Sequence, residues 1–376
     1  MAGGGGQSPA VVGVILAGGA GTRLWPRSRT ARPKHLLPLA PDGRTLLRHA
    51  FERLQGVVDQ VWVVTIASQA AAVRAELPEL GPAGGGSGDP ILAEPAPRGT
   101  GPALGWAALR ALALDPQALM LSVHADHLMP DRDETQAVLA SALGWAAESG
   151  GLVTIGVVPT EPATGFGYIE LGEELSPGPQ GLAHTAHAVR RFVEKPDAAA
   201  ATRFLAAGHF RWNTGLFAWR AARLWAELGT AAPAAAAALR QAVSLEADPG
   251  AFAAAYRSLA AAPVEPLVLE RSRAVVCVSA ALRWSDLGSW ADLHAALRAG
   301  GVADPDGNVL RGDALVLDSQ GCLVDAAGGR MVAAVGCDDL VVIDAGDVVL
   351  VCPRSRSQAV RQVVDRLRAE GRHTLL

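Results

Sequence analysis

Ala17 to Lys34 read AGGAGTRLWPRSRTARPK, a loop of glycines followed by basic residues and prolines. Glycine lets the backbone approach a ligand closely and leaves its amides free to point at anionic oxygens. Arg23 adds a fork of donors and Lys34 a compact positive charge, so the chemistry suggested is phosphate binding. The loop is not a P-loop, because no Gly-Lys-Ser/Thr step occurs. Nor is it a dinucleotide fingerprint: Gly19 and Gly21 supply G-x-G, but Leu24 stands where the third glycine belongs. Pro26 and Pro33 argue for an extended loop that wraps over its ligand.

Other residues add to this chemistry. Asp126, in HADH, follows the strand-like ALMLSV. A carboxylate at the carboxyl end of a strand can hold Mg2+ through one oxygen, and a cap on the following turn is an equal reading. Asp286, in WSDLGSW, is a second candidate of the same kind. The H-x-x-H pairs His124/His127 and His184/His187 lack a matching second ligand pair, so zinc is not expected, and His127 is read as support for the Asp126 loop. From spacing alone, Glu194 and Lys195 in FVEKP form a solvated charge pair. Asn213, in WNTG, is polar among apolar neighbours and needs partners if buried. Trp212, Trp219 and Trp284 read as packing residues.

The elements that must position these residues alternate. Val11 to Ala17 is a continuous apolar run that reads as a central parallel strand buried on both faces. RTLLRHAFERL is an amphipathic helix, VWVVTIA a second strand, GPAGGGSGDP from Gly81 a flexible loop, and GPALGWAALRALAL a helix. With ALMLSVHADH and GLVTIGVVP, this alternation predicts an α/β fold with a doubly wound, mixed but mainly parallel sheet. GFGYIEL, AVRRFVEKP and WNTGLFAWR are short strand-like pieces, followed by an Ala-rich helical region from about 221 to 262. Beyond Asn308, turn signals at DSQG, AAGG, GCDD and DAGD cut short β-prone pieces into rungs. A final amphipathic helix is closed by Gly371. The division expected is a loose tail over 1–10, a catalytic domain over 11–299, and a small β-rich domain over 300–376.

Bulk properties limit the partners. The chain has 376 residues, half of them hydrophobic, with 19% charged and a formal net charge of −4. That balance gives no global attraction for nucleic acid or anionic membrane, so bound phosphate must be held locally. The four cysteines form no CxxC pair, which suits reduced thiols and a cytoplasmic location. The run from Val11 to Ala17 is too short to span a bilayer.

The opening loop resembles the signature of the sugar-nucleotide pyrophosphorylases, a nucleotidyltransferase family. Within that family, Trp25-Pro26 and Ser28-Arg29 resemble the mannose-1-phosphate guanylyltransferases. EPAPRGTGPAL, HADH, TGFGYIE, FVEKP, WNTGLFAW and WSDLGSW follow in the family's order. The resemblance implies a Rossmann-like, GT-A-type catalytic fold that makes GDP-mannose and pyrophosphate from GTP and mannose 1-phosphate, with Mg2+. It also implies that Leu16, Ala17, Gly18, Gly19, Gly21, Thr22, Glu94, Pro95, Arg98 and Thr100 bind the nucleotide. Arg23 and Lys34 then receive the departing pyrophosphate, Gly167, Tyr168, Glu194, Lys195 and Asn213 take the sugar phosphate, and Asp126 with Asp286 holds the metal. Relatives typically read Asn-Thr-Ala-Pro where this chain has Gly99-Thr100-Gly101-Pro102, which leaves base preference open and suggests a more mobile loop. His124 stands where relatives more often carry Pro. The rungs and last helix either cover the sugar side or form a homodimer contact, and a monofunctional enzyme without an isomerase domain is expected. Two alternatives stand beside this reading: a pyrophosphorylase for another sugar phosphate or base, and a silent sugar-nucleotide sensor.

Overall fold

The computed structural model describes residues 8–19, 21–81, 88–176 and 178–376. Most of the expected N-terminal tail and of the Gly81–Pro90 loop lies outside the described residues. The chain divides into two compact units. The first comprises Met1–Gly18, Phe51–His124 and Asp131–Arg283; the second comprises Gly19–Ala50, Ala125–Pro130 and Trp284–Leu376. This division groups the glycine-rich loop with the C-terminal rungs, whereas sequence alone draws its line between 299 and 308.

The first unit is built on nine strands: β1 (Val11–Ala17), β2 (Gln60–Ile66), β3 (Ile91–Glu94), β4 (Leu119–His124), β5 (Leu152–Val157), β6 (Tyr168–Glu174), β7 (Ala186–Val193), β8 (Phe210–Arg220) and β9 (Val275–Ala280). Their order is β3-β2-β1-β4-β8-β5-β9-β7-β6. The β3-β2-β1-β4 side is parallel, as is β5 with β9, while β8 runs antiparallel to both of its neighbours β4 and β5. β1 is apolar throughout because both of its faces are covered, and Val12, Val14 and Ile15 are fully buried. Register brings the ends of the parallel strands to one edge: Leu16 lies opposite His124, Ala17 opposite Thr65, and Ile66 opposite Glu94. Ligands collect at such an edge in open α/β sheets. The helix Thr100–Leu114 covers the sheet with small residues, burying Ala103, Ala107, Ala108 and Ala111 against a core that includes Trp219, Phe217 and Tyr256.

The second unit contains the rungs. β10 (Val309–Gly312), β11 (Ala314–Leu317), β12 (Leu323–Ala326), β13 (Val332–Val335), β14 (Leu340–Asp344) and β15 (Val349–Pro353) are all short. β10, β12 and β14 stack in parallel, β15 closes them antiparallel, and β11 pairs with β13. Val309, Leu323 and Val341 stand in one register column and are fully buried. The terminal helix Val360–Ala369 adds Val360, Val364 and Leu367 to this core, and Gly371 (φ +69°) ends it as expected. Trp25 and Trp290 pin the glycine-rich loop to the same core. Trp290 Nε1 donates to the Trp25 carbonyl at 3.0 Å, and Trp25 Nε1 to the Leu375 carbonyl at 2.7 Å. No helix among the described residues is long and apolar enough to cross a membrane.

Candidate functional site

In the first unit, the edge formed by β1 and β3 carries Leu16, Ala17, Gly18 and Glu94. Glu94 is 5% exposed, and Oε1 accepts a hydrogen bond from the Tyr256 hydroxyl at 2.7 Å. Burial pushes its carboxyl up to about 7, against the opposing pull of the Tyr256 hydroxyl and the Arg98 backbone amide. Gly18 leaves room beside the other oxygen: a Cβ there would stand 3.7 Å from Glu94 Oε2. The pair therefore presents a carboxylate anchored by Tyr256, with open space beside its second oxygen. Tyr256, fully buried on the helix Pro249–Ser258, is not legible as a site residue, since it sits in the Ala-rich segment and meets Glu94 only through the fold.

The loop after Glu94 and Pro95 is tied down. Ala262 N–H donates to the Arg98 carbonyl at 3.0 Å, Gly101 N–H to the Ala262 carbonyl at 2.9 Å, and Val264 N–H to Thr100 Oγ1 at 2.8 Å. The Arg98 guanidinium donates to the Arg257 carbonyl. Thr100 thus spends its hydroxyl on the backbone. Gly99 has φ +82°, ψ 174°, a region almost exclusive to glycine, and a Cβ would come within 2.6 Å of the Ala262 oxygen. A Cβ on Gly101 would meet Leu267 Cδ2 at 2.6 Å. The two small residues are therefore close-approach positions in a pinned loop, not the source of the mobility expected from sequence. Gly99→Ala is expected to destabilise the protein by about 2–4 kcal/mol in a urea melt. Gly229→Ala, exposed in the helix Ala221–Ala231 with nothing within 4 Å of its Cβ, should stabilise by about 0.5–1 kcal/mol.

Farther along the same unit, Gly167, Glu194 and Asn213 come together. Asn213 N–H donates to the Gly167 carbonyl at 2.8 Å, and a Cβ on Gly167 would stand 2.7 Å from Glu194 Oε2. Asn213 Nδ2 reaches Glu265 Oε1 at 3.4 Å, and its Oδ1 accepts from Gly215 N–H at 3.2 Å. Lys195 Nζ bonds Glu194 Oε1 at 2.5 Å with both side chains well exposed, so at rest the pair is solvated and the ammonium is available to an anion. Lys195 has φ +42° directly before a proline, a costly backbone for a side-chain-bearing residue and one that a fold keeps where a position is used. Tyr168 does not join this group. It is fully buried, donates its hydroxyl to the Ala163 carbonyl at 2.9 Å, and packs on Phe204, so it supports Gly167 from the core. Glu265 was not singled out from sequence; burial and then Glu265 and Glu194 raise the carboxyl of Glu270 nearby. Trp212 and Trp219 are buried packing residues, as expected.

In the second unit, Lys34 is the centre. It opens a short 3-10 turn after Pro33, and its side chain is only 6% exposed. Nζ contacts Asp126 Oδ2 at 2.6 Å and donates to the Asp286 carbonyl at 2.5 Å. The two acidic segments are aligned by mutual backbone bonds between Leu128 and Ser285, at 2.9 and 3.0 Å. His127 Nδ1 accepts from Trp284 Nε1 at 3.2 Å, which supports the Asp126 segment as expected. Asp286 Oδ1 caps Gly288 N–H at 3.0 Å. Burial raises its carboxyl; Lys34 and Arg23 pull it down, while Asp292 and Asp126 push it up. Gly21 (φ +61°) passes so close to Lys34 that a Cβ would collide with Lys34 Cβ. Thr22 and Arg23 lie in the turn that follows, and Arg23 Nη1 donates to Gln358 Oε1 at 3.2 Å. His35, missed from sequence, is 1% exposed with Nε2 unpartnered, and burial lowers it to about 4, so it stays neutral beside Asp126 and Lys34. Lys34 thus ties together the Asp126 carboxylate and the Asp286 backbone, and each of these two residues carries hard carboxylate oxygens of the kind that suit a divalent cation.

Comparison with known proteins agrees with these features. The family described as nucleotidyl transferase matches residues 12–300, and the MannoseP isomerase/GMP-like beta-helix domain matches residues 312–367. The chain is 38% identical over 367 residues to a mannose-1-phosphate guanylyltransferase of Escherichia coli, covering 96% of this chain and 74% of the relative. It is 36% identical to another of that name from Klebsiella pneumoniae, with the same coverage. The solved structure described as mannose-1-phosphate geranyltransferase from Thermus thermophilus superposes with a TM-score of 0.80 at 32% identity, covering 95% of this chain and 99% of that one.

Proposed function

The chain belongs to the nucleotidyl transferase family, and from that premise we propose that it makes GDP-mannose and pyrophosphate from GTP and mannose 1-phosphate. The names of its relatives support the substrates, and its reaction class is that of the family. The observation that carries the reading is the buried Lys34 ammonium set against Asp126 and Asp286 at the end of a glycine-rich loop. An oxygen of the sugar phosphate attacks the α-phosphorus of GTP, and pyrophosphate leaves in line. The nucleophile is already an anion, so no general base is needed; the work is alignment and charge stabilisation. The amides of Gly18, Gly19 and Gly21 receive the triphosphate, and Arg23 and Lys34 take up charge on the leaving group. Asp126 and Asp286 hold the divalent metal of the family, proposed as Mg2+. When bound, it offsets repulsion between the two anionic reactants. Lys195 receives the phosphate of the sugar, while Glu194 and Asn213 bond its hydroxyls. Four free cysteines suit a cytoplasmic setting.

Glu94 supports guanine as the base. A carboxylate can accept from the N1–H and N2–H groups of guanine, whereas adenine presents a lone pair at N1. Guanine binding favours the ionised carboxyl, so affinity for GTP should rise between pH 6 and 8 and the profile should be flat in Glu94→Gln. In the ligand-free protein the sign is opposite. A carboxyl raised from 4.5 to about 7 stabilises the fold below its unfolded value, and that contribution is lost as pH rises through about 7. Tyr256→Phe removes a donor to a charged acceptor and should raise KM for GTP about 10-fold with a smaller change in kcat.

The deciding assay incubates the protein with Mg2+, each nucleoside triphosphate and several sugar 1-phosphates, and measures pyrophosphate. GTP with mannose 1-phosphate should be fastest. No release from any pair would sink the enzyme reading, and release with UTP or dTTP but not GTP would sink the guanine assignment.

A further inference from the structure

The glycine-rich loop has a second basic feature that the reaction does not use. Pro26, Arg27, Arg29 and Arg32, with Ala327 and Ala345 of the rung turns, line a solvent-open cavity of about 170 Å³ in the second unit. Arg27 is largely covered, its side chain 9% exposed, and pairs with the buried Asp325 at 2.6 Å. Arg311 Nε lies 3.9 Å from the other Asp325 oxygen, and Arg311 Nη1 is buried with no hydrogen-bond partner. Arg29 grips Asp347 with both terminal nitrogens, at 2.7 and 2.5 Å, and its Nε donates to the Pro26 carbonyl at 3.0 Å. Arg29 and Arg32 exchange backbone hydrogen bonds of 3.0 Å, which fixes a tight turn. The Arg32 side chain is exposed and has no ion-pair partner among the described residues.

The charges here do not balance. Arg27 and Arg311 share Asp325, Arg29 takes Asp347, which is half exposed, and Arg32 has no carboxylate of its own among the described residues. Burial first, and then Arg311 and Arg32, lower the proton affinity of Arg27, which places these cations in one electrostatic neighbourhood. Planar guanidinium forks match phosphate oxygens. We infer that this cavity is an anion site for a phosphoryl group, supplied by inorganic phosphate or by a small phosphate monoester. Its walls lie in the loop between Arg23 and Lys34, so an occupant stiffens the segment that carries both.

The test needs no turnover, so its outcome is independent of the reaction proposed above. Metal-free protein is titrated with inorganic phosphate or with a hexose 6-phosphate at constant ionic strength, with chloride as control. Thermal melting and amide hydrogen exchange are followed in wild type, Arg32→Glu and Arg32→Gln. A saturable rise in Tm with slowed exchange over residues 27–32 is expected, weakened at least tenfold in both variants. Stronger protection by the monoester assigns an ester as the occupant, and stronger protection by phosphate assigns the inorganic ion. Equal responses in wild type and both variants, or no protection of residues 27–32 by either probe, overturn the inference.

Discussion

Asp286→Asn is expected to lower turnover about a thousandfold or more while the protein stays folded. The amide keeps an oxygen to accept from Gly288 N–H, and the bond from Lys34 goes to the Asp286 backbone carbonyl, so neither depends on the carboxylate. What disappears is one negative charge. That charge is costly in the resting protein: burial raises the Asp286 carboxyl, and Asp292 and Asp126 raise it further against the pull of Lys34 and Arg23. A raised carboxyl contributes stability only at low pH and loses it as pH rises, so the variant should melt no lower than wild type at pH 8. A residue whose removal costs turnover without costing stability is one held ready for a ligand. Pyrophosphate release and thermal melting on the same sample decide the matter. Wild-type turnover in a folded Asp286→Asn protein removes Asp286 from the proposed metal site.

The residues legible in the sequence are those whose signal is local. β1 announces itself because a strand buried on both faces must be apolar throughout, and the rungs show because each short strand ends in a turn. Gly18, Glu94, Gly167, Asn213 and Asp286 stand in short strings whose order along the chain resembles a family. The rest depends on partners far away in sequence. Nothing near Tyr256 says that its hydroxyl will meet Glu94, 162 positions earlier, and nothing near Thr100 says that Val264 will claim its oxygen. Gly99 and Gly101 read as loosened positions because the Ala262 backbone that fills the space is invisible from the loop itself. Glu194 and Lys195 show the converse. Spacing alone makes them a solvated pair, which the geometry retains, but only the left-handed backbone at Lys195 reveals the strain of holding that ammonium in place.

Lys34→Met should cost both activity and stability, and the stability loss should depend on pH. The side chain is nearly buried, so truncation leaves Asp126 Oδ2 and the Asp286 carbonyl without their shared donor. Breaking a fully buried pair costs about 3–5 kcal/mol; Asp126 is one-third exposed and water can replace part of the loss, so about 1–3 kcal/mol is expected here. Without the ammonium, the Asp286 carboxyl, already raised by burial and pushed up by Asp292 and Asp126, loses its strongest opposing pull and rises further. Protonating it relieves the repulsion. The deficit relative to wild type should therefore be largest near pH 8 and shrink towards pH 5, as read from urea melts at both. Lys34→Arg should not restore turnover, because Gly21 packs against Lys34 Cβ and leaves little freedom to re-aim a planar fork. A loss of turnover of about 100- to 1,000-fold follows from removing one cation from the leaving-group side of the reaction. An equal stability deficit at both pH values would show that Lys34 merely fills space. Wild-type pyrophosphate release would show that the leaving charge is met elsewhere.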